Sequence, residues 1–220
     1  MGRRPAPPAL LTPHEKLKYG MVRDGIYYAL ALLAAGLVLA YLLSPILALP
    51  LFVLAMFCLY FFRDPDRAIP DGPVAVSPAD GRVVSVASDA GLTRVSIFLN
   101  IFDVHVNRTP IAGRIADVKY SHGEFLVASR EVASTRNEQN VVTVEGDSTR
   151  VVFKQIAGLI ARRIVFWKKP GDTVGAGERI GLIKFGSRVD VFFGPEWDIA
   201  VAVRERVRAG SSIIARRKQA

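Results

Sequence analysis

Hydrophobic and polar positions divide the chain into regions of different period. Residues 26–62, IYYALALLAAGLVLAYLLSPILALPLFVLAMFCLYFF, contain no charged side chain. Ser44-Pro45 splits this run into 18 residues (26–43) and 17 residues (46–62). Each half is near the lower end of the ~17–25 residues that a membrane-crossing helix needs. A helix in a soluble core keeps one polar face, and neither half has one. The run is too long for a signal peptide and lacks a small-residue cleavage site. The pattern predicts a tight helical hairpin resident in the membrane, spanning or re-entrant, with Pro50 placed to kink or shorten its second half.

Beyond Phe62 the period shortens to that of strands. Apolar positions alternate through VAVSPADGRVVSVAS (74–88), TRVSIFLN (93–100), FDVHVNRTP (102–110), GRIADVKYSHGEF (113–125), NVVTVEGDSTRVVFKQIAG (140–158) and RRIVFWKKPGDTVGAGERIGLIKFGSRVDVFF (162–193). Turn signals at Asp80-Gly81, Gly146-Asp147 and Pro170-Gly171-Asp172 punctuate them. Only Ala157–Arg163 suggests a short helix. The expected fold is mainly β: a β-sandwich or barrel over residues 63–220, preceded by the membrane hairpin (26–62) and a basic tail (1–25). The stretch GLIKFGSRVDVFFG (181–194) predicts a β-hairpin turning at Gly186-Ser187. With the preceding KPGDTVGAGERI it is similar to the half-barrel repeat of lipoyl and biotinyl carrier modules. Those modules carry a modified lysine at the hairpin tip. Here the tip holds Gly186-Ser187, with Lys184 in the strand before it, so a non-catalytic membrane adaptor or carrier is one reading of the fold.

Charge sharpens the membrane assignment. The chain of 220 residues has a formal net charge of +9 and a pI near 10, which calls for an anionic partner. Lys16, Lys18 and Arg23 precede the hydrophobic run, Arg63 and Arg67 follow it, and its centre has no charge. The positive-inside bias then puts both termini and residues 63–220 on the cytoplasmic side of the cell membrane. The basic residues are not interleaved with aromatics and no nucleic-acid motif is present, so anionic lipid is the expected partner rather than nucleic acid. The single cysteine, Cys58, excludes an intramolecular disulfide. The three histidines (His14, His105, His122) form no metal-ligand spacing with it, so no metal is expected.

Three short motifs follow in order: SPADG (77–81), FDVHVNRTP (102–110) and FGS (185–187). With FFRDP after the hairpin and RNEQN (136–140), this set closely resembles the phosphatidylserine decarboxylases, in their short, pyruvoyl-dependent prokaryotic form. The resemblance spans roughly Arg63 to Trp197. It implies a proenzyme that cuts itself between Gly186 and Ser187, leaving two associated chains and a covalent pyruvoyl group (pyruvate) made from Ser187. It implies His105 as the proton-transfer group and Asp80 as the residue that orients it and promotes attack by Ser187. Without the motif, His105 would read as a packed histidine and Asp80 as a turn residue. His122, in YSHGEF, reads as structural or substrate-adjacent. Longer bacterial members carry a second histidine three residues after the first, where this chain has Arg108, and the larger branch has Leu where this chain has Phe185. The activity implied is decarboxylation of phosphatidylserine to phosphatidylethanolamine and CO2. The same chemistry on an archaeal serine ether lipid is an alternative substrate, and a homo-oligomer is left open.

Overall fold

The computed structural model describes residues 21–128, 131–159, 163–184 and 186–218. His14, Lys16, Lys18, Phe185 and the middle of the helix expected near Ala157–Arg163 lie outside the described residues. The chain divides into two compact units, with the boundary between Asp66 and Arg67.

The first unit is the helix pair. Helix α1 (Arg23–Leu42) and helix α2 (Pro45–Phe61) are joined at Leu43-Ser44. Ser44 caps α2, its hydroxyl accepting from the Ile46 N–H at 3.2 Å, and Pro45 begins the helix where a missing N–H costs nothing. The helices meet through small side chains: Ala29, Ala48 and Ala55 are buried. A Cβ on Gly36 would stand 2.5 Å from the Phe52 ring, so only glycine admits that ring. The outward faces are apolar, with Tyr41, Ile46 and Met56 exposed. A backbone bridge between Met21 and Arg63 closes the open end. Helix α1 is long and apolar enough to cross a membrane, while α2, at 17 residues, is shorter.

The second unit is mainly β, as the alternation predicts. Its strands are β1 (Val74–Val76), β2 (Gly81–Asp89), β3 (Leu92–Leu99), β4 (Val106–Arg108), β5 (Gly113–Ser121), β6 (Gln139–Gly146) and β7 (Thr149–Ala157). They continue as β8 (Ile164–Phe166), β9 (Thr173–Val174), β10 (Arg179–Ile183), β11 (Ser187–Phe193), β12 (Trp197–Ile199), β13 (Arg206–Val207) and β14 (Ile213–Arg217), and a short α3 (Ala133–Arg136) precedes β6. Eight strands in the order β13-β2-β3-β11-β7-β6-β5-β9 form one sheet that curls into a half-barrel. Two three-stranded sheets, β1-β14-β12 and β4-β10-β8, complete the unit. The core lies on the inner faces, where Val95, Ile97, Val142, Phe153, Val189, Val191 and Phe193 are fully buried.

One expectation is corrected. The stretch 181–194 is not a paired hairpin: β10 bonds to β4 and β8, whereas β11 bonds to β3 and β7 in the other sheet. The reason lies in the burial. Both strands are buried on nearly every residue, so each is a central strand with two partners of its own. Gly186 carries the chain from one sheet to the other with φ +51°, a conformation that favours glycine. Ala157, where a short helix was expected to begin, closes β7 instead.

Candidate active site

Ser187 is the first residue of β11, paired with Leu99 of β3 on one side and Ala157 of β7 on the other. Directly paired residues share a face of the sheet, and so do residues two apart on one strand. The Ser187 side chain therefore points into the core with Leu99, Ala157, Val189 and Gln155. It is fully buried, and its hydroxyl has no hydrogen-bond partner. A buried hydroxyl left unpaired costs about 1–3 kcal/mol, so its retention needs a reason.

His105 lies immediately before β4. Its carbonyl accepts from the Ile183 N–H at 3.3 Å, at the end of β10 and four residues before Ser187. The ring is buried, with Nδ1 2.9 Å from the Asp103 carbonyl oxygen. A carbonyl can only accept, so Nδ1 carries a proton, and in the neutral form of the ring the basic lone pair is at Nε2.

Asp80, just before β2, is part-buried. Its carboxylate takes both contacts of Arg67 Nη2, at 2.8 and 3.1 Å, and the Ala209 N–H at 2.8 Å. Burial lifts its carboxyl above the usual Asp value, outweighing the Ala209 and Arg67 bonds that lower it, and the charge of Asp103 adds to the rise. Nδ1 of His105 is held by the Asp103 carbonyl, and the Asp80 carboxylate bonds to Arg67 and the Ala209 N–H. Asp103 is in turn held by Arg206 at 2.6 Å. His122 sits apart from this group. Its side chain is 71% exposed, with Nδ1 3.7 Å from Glu138 Oε2 and its ring edge-on to Tyr120.

The RNEQN motif acts as a staple. Asn137 accepts the Leu126 N–H and donates to the Leu126 and Ala157 carbonyls, fastening residues 124–128 to the end of β7. Asn140 donates to Gln155, which donates to Asn107 at 2.8 Å, a buried amide chain on the same inner face as Ser187. On the opposite face Arg188 bonds to Asp190 at 2.6 Å and Ser96 at 2.8 Å, and Ser134 of α3 donates to Asp190. Burial pushes the Glu131 carboxyl up, but its bonds to Arg94 and Arg188 outweigh that and hold it below the ordinary Glu value. Ser187 thus starts a strand gripped from both faces.

A buried, unpaired serine hydroxyl thus lies directly after a left-handed glycine, between two central strands. Comparison with known proteins bears on it. The family model for phosphatidylserine decarboxylase matches residues 54–215. The chain belongs to the phosphatidylserine decarboxylase family. Its relatives include proteins named phosphatidylserine decarboxylase proenzyme from Solibacter usitatus (strain Ellin6076), 71% identical over 90% of this chain and 97% of that protein, and from Solidesulfovibrio magneticus (strain ATCC 700980 / DSM 13731 / RS-1), 44% identical over 90% and 96%. A third, from Desulfotalea psychrophila (strain LSv54 / DSM 12343), is 43% identical over 72% of this chain and 78% of its own length.

Within this phosphatidylserine decarboxylase fold, the motifs Ser187, His105 and Asp80 were visible in the sequence, and several of their supports were not. Asp103 stands inside FDVHVN, and its signal was its place two residues before the histidine. Arg67 follows FFRDP, where the sequence marks it only as a membrane-flanking charge. Gln155 and Asp190 are polar residues within strongly apolar strands, which was signal enough to single them out. Among the described residues no group of His, Cys, Asp or Glu could hold a metal ion.

Proposed function

We propose that this chain is a membrane-anchored proenzyme that cuts itself between Gly186 and Ser187 and then decarboxylates phosphatidylserine to phosphatidylethanolamine and CO2. The observation that carries the reading is the Ser187 hydroxyl, buried and unpaired, following a glycine whose own α-carbon faces open space. A group built from the chain itself fits these residues. The hydroxyl is next to the carbonyl it must attack, and the strand behind it is locked on both sides.

In self-cleavage the Ser187 Oγ bonds to the Gly186 carbonyl carbon and the Gly186–Ser187 C–N bond breaks, leaving an ester and a free amine that takes up the hydroxyl proton. Loss of the Ser187 α-proton expels the Gly186 carboxylate and splits the chain. Water then hydrolyses the resulting enamine, through its imine, to ammonia and a pyruvoyl end. Holding nucleophile and carbonyl on neighbouring residues of a rigid strand replaces a bimolecular encounter. Asp80 promotes this attack, and His105, with its basic Nε2, moves protons to and from the reacting atoms. When formed, the pyruvoyl group supplies the electron-accepting carbonyl on which the substrate amine loses CO2.

The helix pair anchors the enzyme, and the charges at its open end favour residues 67–220 on the cytoplasmic side, where the basic surface attracts an anionic lipid. Intact-protein mass measurement should find two chains, residues 1–186 and 187–220, the shorter one blocked at its N-terminus. Ser187→Ala should stay full-length and inactive, and it should be at least as stable as the uncut parent, since it deletes an unpaired buried hydroxyl. Cleavage of the alanine variant at the same bond would rule out the reading.

A further inference from the structure

The carbonyl that Ser187 attacks is pressed against a second glycine. A Cβ built on Gly158 would stand 2.0 Å from the Gly186 carbonyl oxygen, 3.0 Å from its carbon and 3.2 Å from the Ala128 Cβ. The main obstacle is backbone, which cannot swing aside as the end of a side chain can. Gly158 follows Ala157, the residue paired with Ser187, so the end of β7 meets the start of β11 where the chain is to be cut. Gly158 is not among the residues of positive φ, so its own backbone does not require glycine. Gly186 is the reverse case: its φ favours glycine, and nothing lies within 4 Å of where its side chain would be.

We propose that Gly158 is a positioning residue for self-cleavage. Its bare α-carbon lets β7 back the Gly186 carbonyl and fix the face turned to the Ser187 hydroxyl. Asn137, which donates to the Ala157 carbonyl at 2.7 Å, holds this backing surface still. A methyl group at 158 must drive the carbonyl oxygen away by about 1.4 Å to reach ordinary contact, and a misplacement of about 1 Å already costs an intramolecular reaction about 10²-fold. The inference rests on the proposed cut between Gly186 and Ser187.

The test uses the full chain in detergent, following splitting on gels. Gly158→Ala should split about 100-fold more slowly than the parent. Hydroxylamine, which cleaves esters, should not restore splitting, because the ester does not form. Gly146→Ala is the control: its Cβ would stand 2.8 Å from the Ala112 carbonyl oxygen, a backbone conflict at the far end of β6, and it should split at the parental rate. The double variant Gly158→Ala/Ser187→Ala should unfold within a few degrees of Ser187→Ala alone. Near-parental splitting of Gly158→Ala, rescue by hydroxylamine, or loss of the unfolding transition in the double variant would each overturn the proposal, the last by making the glycine merely structural. A parent that is not cut at 186–187, or a Ser187→Ala chain that is, would instead refute the cleavage reading itself.

Discussion

At Asp80, burial competes with an arginine. Burial wins, and the carboxyl holds its proton to a higher pH than an ordinary aspartate. A carboxyl whose pKa is raised by folding adds stability that is fully present below its unfolded value and is lost as pH rises through the folded one. The ionised form is the one that can help activate Ser187, so self-cleavage should slow as pH falls through that raised value, which lies above the ordinary aspartate range. Asp80→Asn should remove this acid limb and slow splitting at neutral pH. An Asp80→Asn chain with the parental rate and the same limb would take Asp80 out of the reaction. His105→Ala should lower CO2 release per titrated pyruvoyl group by roughly 10²–10⁴-fold in whatever fraction matures, and normal turnover would remove its role. The candidate residues Asp80, His105 and Ser187 were legible because short motifs hold them. Gly158 was not, because its significance is a contact with Gly186 across the sheet, and no local pattern encodes it. Asp103 supplies its carbonyl to His105, a backbone function that residue type does not reveal.

At the scale of elements, alternation of apolar residues announced strands but not their partners. The runs on either side of Gly186-Ser187 read as a hairpin because a glycine-serine pair joins them. Their burial on both faces places them in different sheets. The short α3 leaves no mark in the pattern, since four residues give no helical period. The helix pair was legible because composition alone marks it: thirty-seven residues (26–62) without a charge can be covered only by lipid or by other apolar surface. Gly25, Ala29, Gly36, Ala48 and Ala55 pack inward, and bulky side chains such as Tyr41, Ile46 and Met56 face out. Deleting residues 1–62 should therefore release the remaining chain from membranes at high salt, since only screened attraction between basic residues and anionic headgroups would remain. Self-cleavage should survive, because Asp80, His105, Gly158 and Ser187 all lie beyond the deletion. A truncated chain that still resists salt extraction would place the anchor elsewhere.

At the scale of the whole molecule, the proposed cut at Gly186 would leave the segment 187–220 supplying β11 and β13 to the large sheet and β12 and β14 to the sheet of β1. With Cys58 the sole cysteine, no covalent bond retains it. Strand β11 lies between β3 and β7 along almost its whole length, so the short chain cannot leave without opening the core. Removing it and unfolding the domain are one event. That event turns one particle into two, and mass action then governs the stability of the mature enzyme. Each tenfold dilution should lower its apparent stability by about 1.4 kcal/mol, moving the melting midpoint by roughly 2–4 °C per kcal/mol for a domain of this size. The Ser187→Ala precursor, still one chain, should melt at the same temperature at every concentration. A mature form whose midpoint ignores dilution would mean that its two pieces never separate on melting. Otherwise maturation exchanges a stability intrinsic to one polypeptide for one that depends on how crowded the enzyme is.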